Sequence, residues 1–302
     1  MPAAASPVRP LSSASRLQLV RRIPKQTLIR AGEKDPDIFG MSYNSARDEL
    51  FFADLANYVV RAIHLRDNAY DQRDVYRAPH DMSPFIRSVC YMSHSDTLLV
   101  CSGEKGPDKN YANWLVALSR NGTEWREAQR VPTDGEGGIS CALSDSRVLI
   151  GNCINSTYLE LFRVESGPRI ARVHRIHVPE EYFYFSAKFS SDTLVAMSYP
   201  YIDQSVRLHR LSGNQLEELE RIQLKNPSKL LWLADRLLVA EYDEKNNLHA
   251  VIELEVNDTG LEHRRELIAT SGNINVSRFC AVNDELAIFH YKSRDILQYS
   301  FV

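Results

Sequence analysis

Residues 49–65 read ELFFADLANYVVRAIHL. Leu50, Phe51, Phe52 and Ala53 form an apolar strand, Asp54 to Tyr58 a turn, and Val59 to Leu65 a second, mainly apolar strand. The same order, a polar residue followed by an apolar run, a polar turn and another apolar run, starts again at Thr97, Arg147, Thr193, Arg236 and Glu285. Counted from Glu49, the spacings are 48, 50, 46, 43 and 49 residues. A fixed period of this size marks a repeat architecture, even where the repeats share little identity.

Each anchor is preceded by a shorter apolar run: FGMSY from 39, IRSVCYM from 86, GISCAL from 138, FSAKF from 185, KLLWLA from 229 and SRFCAV from 277. Each double strand except the last is followed by a charged one: DQRDVYRA, TEWREAQRV, RIARVHRIHV, QLEELERIQL and LEHRRELIA. Four short strands repeating about every 47 residues are the signature of propeller blades. The gradient from apolar to charged has a cause, because the outermost strand of a blade is a sheet edge and charges there discourage further pairing.

The chain is therefore expected to be all-β, a six-bladed β-propeller of four-stranded blades. The blades fall at about 36–80, 84–133, 137–179, 183–225, 227–271 and 275–302. From Glu285 onward 18 residues remain, enough for two strands of the last blade. Its fourth strand has to come from 16–30, where LQLVRRIPKQTLI spans Leu17 to Ile29, so the amino terminus closes the ring.

Residues 1–15, rich in Ala, Pro and Ser, are expected to be a flexible tail before a single propeller domain over 16–302. The tail lacks the apolar core of a secretory signal, and no stretch approaches the roughly 18 apolar residues of a membrane span. The expectation is a soluble, cytoplasmic chain without membrane contact. A net charge of -3 and a pI near 6.3 do not favour a nucleic-acid partner. Cys90, Cys101, Cys141, Cys153 and Cys280 show no paired spacing and read as buried free thiols of a reducing compartment. Sequons at Asn121, Asn155, Asn257 and Asn275 carry no weight without export.

The segment from Lys25 to Leu65 resembles an NHL-type repeat or, more loosely, a TolB-like propeller blade. The resemblance rests on TLIRAG, on Gly40 in the inner strand, and on Ala53-Asp54 with Asn57 and Arg61 at the turn. It implies that Asp54 and Asn57 tie the turn down inside the blade. The other repeats carry Ser102, Asn152, Ser198, Glu241 and His290 near the position of Asp54. The Trp-Asp dipeptides of WD40 blades, the repeated Gly-Gly of kelch blades and any Tyr-Trp-Thr-Asp string are absent.

Fold alone assigns no activity. The loops entering the inner strands and those joining second to third strands should share one rim, and the longest runs from Cys101 to Asn113. Its glycines lack the spacing of a phosphate loop. Arg87, Lys188, Lys229 and Arg278 lie near the starts of inner strands and would make the upper channel mouth positive. Such a mouth suits an acidic peptide, a phosphate or a carboxylate, unless Asp81, Glu180, Glu181 or other rim acids neutralise it. Tyr182, Tyr184, Tyr199 and Tyr201, with Phe183, Phe185 and Trp232 nearby, would add exposed aromatics, the composition of a protein-binding surface.

The favoured function is thus a scaffold or adaptor that binds a protein or peptide partner through this rim. No catalytic residue, cofactor or metal ligand is assigned. One alternative, implied by gluconolactonase-like and paraoxonase-like propellers, is a metal-dependent hydrolase or lactonase holding a divalent cation in the channel. It would have to draw on Asn44, Asp235, Asn283 and Asp284, mostly at the lower strand ends, against cations above. Another is an RNA-binding propeller of the NHL kind using Arg169, Arg172, His174, Arg175 and His177. That run falls in an edge strand, where charge is expected anyway.

Overall fold

Successive side chains of a strand point to opposite faces, so Leu50 and Phe52 leave the first repeat on one side, Phe51 and Ala53 on the other. Both sets are buried in the computed structural model. It describes residues 17–66, 70–78, 85–105, 111–133, 140–143, 146–151, 157–165, 167–178, 183–189, 193–233, 236–244, 248–257, 260–271 and 278–301. Leu50 and Phe52 pack with Val282, Phe289 and Ile296, while Phe51 and Ala53 pack with Ile86, Val89 and Val116. A strand apolar at every position is one covered on both faces.

The described residues form twenty-four strands. The first, β1 (Leu17–Ile23), stands apart from blade 1, which is β2 (Ile38–Asn44), β3 (Glu49–Asp54), β4 (Val59–His64) and β5 (Gln72–Arg77). Blade 2 is β6 (Phe85–Met92), β7 (Thr97–Lys105), β8 (Tyr111–Asn121) and β9 (Glu124–Thr133). Blade 3 is β10 (Ser140–Leu143), β11 (Arg147–Gly151), β12 (Tyr158–Glu165) and β13 (Arg169–His177). Blade 4 is β14 (Tyr184–Lys188), β15 (Thr193–Tyr199), β16 (Ser205–Ser212) and β17 (Gln215–Gln223). Blade 5 is β18 (Leu230–Leu233), β19 (Arg236–Asp243), β20 (Leu248–Asn257) and β21 (Gly260–Ser271). Blade 6 is β22 (Phe279–Val282), β23 (Glu285–His290) and β24 (Asp295–Phe301), completed by β1.

Every sheet is antiparallel, and the inner strands β2, β6, β10, β14, β18 and β22 touch in that order and back to β2. The fold is a six-bladed β-propeller. Each apolar cluster fills one gap between successive blades, for example blades 6 and 1 around Phe52 and Phe289. A buried side chain of that size contributes about 1.5–3 kcal/mol.

The amino-terminal strand does close the ring, but it ends earlier than Ile29. β1 pairs with β24 from Leu17↔Phe301 to Ile23↔Ile296. Pro24 lacks an N–H for the ladder, and a 3-10 turn follows at Lys25–Thr27. Asp295 holds the junction: it accepts from Arg22 Nε at 2.8 Å and from the Lys25 amide at 2.9 Å.

Edge protection goes beyond charge. The outer strand of every blade carries a β-bulge against the third strand, and the extra residue is Val20, Val75, Ala128, Val173, Leu219 or Leu267. A bulge twists the edge and interrupts its ladder, which blunts it against pairing. The basic run from Arg169 to His177 is β13, the outer strand of blade 3, where Arg172 pairs with Glu160 at 2.8 Å.

The segment from Cys101 to Asn113 is mostly strand. β7 and β8 pair out to Gly103↔Asn113 and Lys105↔Tyr111, so the hairpin arm extends where a loop was expected. Cys101 and Cys280 are buried free thiols, whereas Cys90 is disulfide-bonded, contrary to the expectation of free thiols throughout. Cys153 lies outside the described residues.

Candidate functional site

The turn after β3 is built as the resemblance implies. Asp54 Oδ1 accepts from the amides of Asp37 and Ala56 at 3.0 and 3.1 Å, and its Oδ2 accepts from Asn57 Nδ2 at 2.7 Å. Arg61, fully buried, donates to Asp54 at 3.3 Å, to Asp74 at 3.1 Å, to Glu33 at 2.5 Å and to the Leu28 carbonyl at 2.9 Å. Burial pushes the Asp54 carboxyl up, against the pull of Asn57, the amides and Arg61. Asp74, wetter and held by Arg77 and Arg61, is held below the ordinary carboxylate range. This network fixes the entry into blade 1.

Other blades keep the tie with different side chains. Glu241 accepts from the Lys225 amide at 2.7 Å, Ser198 Oγ donates to the Ser228 carbonyl at 2.7 Å, and His290 Nδ1 takes the Ser293 amide at 3.1 Å. A polar group at the end of the second strand, holding a loop that enters an inner strand or its own turn, recurs in blades 1, 4, 5 and 6.

These bonds also define the rim. Leu224 N donates to the Gln204 carbonyl at 2.9 Å, bringing the β15–β16 turn against the loop into blade 5. Arg294, in the β23–β24 turn, reaches the Pro36 carbonyl at 3.2 Å in the loop into blade 1. Entering loops and second-to-third turns therefore lie on one face.

The four expected mouth cations do not converge. Arg87 sits in an inner-strand bulge between Ile86 and Ser88, and its guanidinium lies 4.7 Å from the Phe85 ring centroid. Arg278 precedes β22, donates to Asp37 at 2.7 Å and the Ile38 carbonyl at 2.8 Å, and stacks 3.5 Å over Phe39. Lys229 immediately precedes β18 and is partly buried. Lys188 is a correction: it is the last residue of β14, paired with Leu194 next to the hairpin turn, and thus at the strand end away from the rim. There its ammonium stands 5.7 Å from the Trp232 ring.

The aromatic cluster also divides. Tyr199 is buried between blades 3 and 4, with Arg207 stacked at 4.1 Å, so it is core rather than an exposed contact. Tyr184 is half-buried at the start of β14. Tyr201 is 73% exposed in the β15–β16 turn. Tyr182, with Asp81, Glu180 and Glu181, lies outside the described residues. Two rim residues had no sequence signal of their own: Ile202, exposed beside Tyr201, and Tyr291, exposed in the β23–β24 turn and stacked under Arg294 at 3.8 Å.

Of the oxygen donors weighed for a metal, Asn44 is buried beside Glu49 and Asn283 lies in the β22–β23 turn, donating to Tyr43 Oη at 3.2 Å. Asp235 lies outside the described residues. Among the described residues no group of three or more His, Cys, Asp or Glu side chains is placed to hold a metal ion. Among the described residues no helix is long and apolar enough to cross a membrane.

No protein-family model matches the chain, and no curated protein matches its sequence. Solved structures share the fold. A glucose dehydrogenase superposes with a TM-score of 0.65 at 9% identity, covering 95% of this chain and 99% of the other. A chain of a mitotic checkpoint complex gives 0.62 at 8% identity, over 100% and 99%. The β-propeller domain of Cps50 (Swd1) from Myceliophteria thermophila gives 0.54 at 13%, over 88% and 83%. At such identities the likeness concerns the fold, and the neighbours include both enzymes and members of assemblies.

Proposed function

We propose that this chain is an interaction scaffold that binds a protein or peptide partner on the rim carrying the second-to-third turns. The observation that carries the reading is the exposure of Tyr201, Ile202 and Tyr291 on turns of that one face. Aromatic and aliphatic side chains at turn tips lose water on binding at little entropic cost, and they recur as interface anchors. Arg87 and Arg278 beside the channel supply a cationic border suited to an acidic partner. The Asp54, Asn57 and Arg61 network supports kinship with NHL-type or TolB-like blades. That the neighbours include a chain of a checkpoint complex is in keeping with a binding role.

The test is affinity capture from native cell extract with the wild type and a Tyr201→Ser, Ile202→Ser, Tyr291→Ser variant of matched melting temperature. A stoichiometric partner captured by the wild type and lost by the variant is expected. Retention by the variant overturns the assigned surface, and capture of no macromolecule by either form overturns the scaffold reading.

A further inference from the structure

Two arginines on the rim, where blade 6 meets blade 1, are only half engaged. Arg278, at the entry to β22, and Arg294, in the β23–β24 turn, both turn Nη1 to Asp37 Oδ1, at 2.7 and 3.5 Å. The same Nη1 atoms donate to carbonyls next to Asp37, Arg278 to Ile38 at 2.8 Å and Arg294 to Pro36 at 3.2 Å. Each guanidinium also lies on a ring, Arg278 3.5 Å from the centroid of Phe39 and Arg294 3.8 Å from that of Tyr291. Backbone carbonyls and rings thus fix two planar cations around one carboxylate oxygen.

The charges there do not balance. Glu33 and Asp35, the other acids of the loop into blade 1, are engaged with Arg61 and, at 3.1 Å, with Lys25. The stretch leading into Arg278, GNINVS at 272–277, has no acid. Asp37 therefore answers two guanidiniums. Nε and Nη2 of both arginines have no acceptor among the described residues. The two side chains are 13% and 22% exposed, so the pair is recessed from water but within reach of an arriving group. A guanidinium held in this way gains most from an acceptor that matches its planar fork of donors, and a carboxylate does so with two oxygens.

We propose that Arg278 and Arg294 form the seat for an acidic side chain, aspartate or glutamate, of the partner. Tyr291, exposed on its turn and stacked on Arg294, supplies the apolar wall beside that carboxylate. The proposal rests on the rim reading for the source of the carboxylate, and it adds the chemistry of the residue that the partner brings and the two side chains that receive it. Asp37 engages Nη1 of each cation, and the incoming carboxylate takes donors that Asp37 leaves over.

The experiment has two arms. The first follows the melting temperature of the full chain against N-acetylglutamate amide, whose one charge is the side-chain carboxylate, against neutral N-acetylglutamine amide and against inorganic phosphate, at ionic strength held constant with chloride. A ligand that binds the folded state raises its melting temperature as concentration grows. The expected result is a rise with the glutamate compound and none with the glutamine compound. In Arg294→Gln, referred to its own ligand-free melting temperature, the dissociation constant should rise at least about tenfold, the loss of one charged hydrogen bond. Arg294→Lys should fall between, since it restores the charge without the fork, and Arg278→Lys, measured in the same way, checks the other half of the seat. No rise in the wild type, an equal rise with the glutamine compound, an equal rise in Arg294→Gln, or a larger response to phosphate overturns the proposal. The second arm repeats the affinity capture with Arg294→Gln beside the wild type and the triple serine variant. A partner lost by the serine variant and kept in full by Arg294→Gln overturns the seat and leaves the rim reading standing. Capture of no macromolecule by the wild type overturns the rim reading, whereas a flat first arm overturns the seat alone, so the two failures are told apart.

Discussion

Replacing Arg61 with Met keeps most of the side chain's length and removes its charge, and the cost can be worked from its partners. Asp54 is fully buried, whereas Glu33 and Asp74 have side chains 17% and 23% exposed. The last two can recover water, so their share is small, on the scale of the ~0.2–1 kcal/mol of exposed pairs. Asp54 keeps Asn57 and two amides but loses its counter-charge, and the Leu28 carbonyl loses its donor. Breaking a buried pair by removing one partner costs about 3–5 kcal/mol, and the surviving donors of Asp54 place the expected loss near ~3 kcal/mol. The pH dependence supplies the check. Arg61 stabilises these carboxylates only while they are ionised, and Asp54 already titrates above its ordinary value. The gap between wild type and variant should therefore be widest near neutrality and narrow as pH falls through the carboxylate range. Urea denaturation from pH 7 to pH 4 measures it, with Asp54→Asn in the Arg61→Met background expected to restore part of the loss. A loss under ~1 kcal/mol at pH 7, or one that does not shrink in acid, would refute the reasoning.

Three further outcomes are expected. Asp295→Ala strips the Lys25 amide of its acceptor and should cost about 1.5–3 kcal/mol, with β1 amides exchanging hydrogen faster than those of β3. Lys229 titrates lower in the fold than in the unfolded chain. Between about pH 8 and 10.5 the unfolded state binds more protons, so stability rises with pH across that window; the rise should disappear in Lys229→Met. Cys90 should resist alkylation in the unfolded chain until a reductant is added, while Cys101 and Cys280 react at once, as mass spectrometry of peptides would show.

The blades were legible because period and alternation survive without identity: β3 and β4 occupy the residues that ELFFADLANYVVRAIHL assigns to them. The closing strand was legible from a count of what the last repeat lacked. Asp54, Asn57 and Arg61 were legible as a set through the resemblance to an NHL-type blade, all three lying between 54 and 61. Glu33 and Asp74 were not, since they reach Arg61 from other segments. The bulges were hidden because an extra residue such as Val75 shows only once the partner strand's register is known. Lys188 was misplaced for a simple reason: in a five-residue strand the fourth or fifth position is already the far end. Tyr199 looked like part of an exposed turn, yet it is the final residue of β15, on the face that packs between blades. Position in a loop-like string says little about which way a side chain turns.

The clasp made by β1 and β24 also sets a schedule for biosynthesis. Arg22 and Asp295 stand 273 residues apart in the chain. At about 5–20 residues per second, β1 leaves the ribosome well before its partner has been made. β1 is thus made long before it is used, and until β24 follows the ring stands open with the β3 side of blade 1 uncovered. Phe52 and Leu50 wait for Phe289 and Ile296. A chaperone that shields that one face would act during a window set by the 273 residues between Arg22 and Asp295.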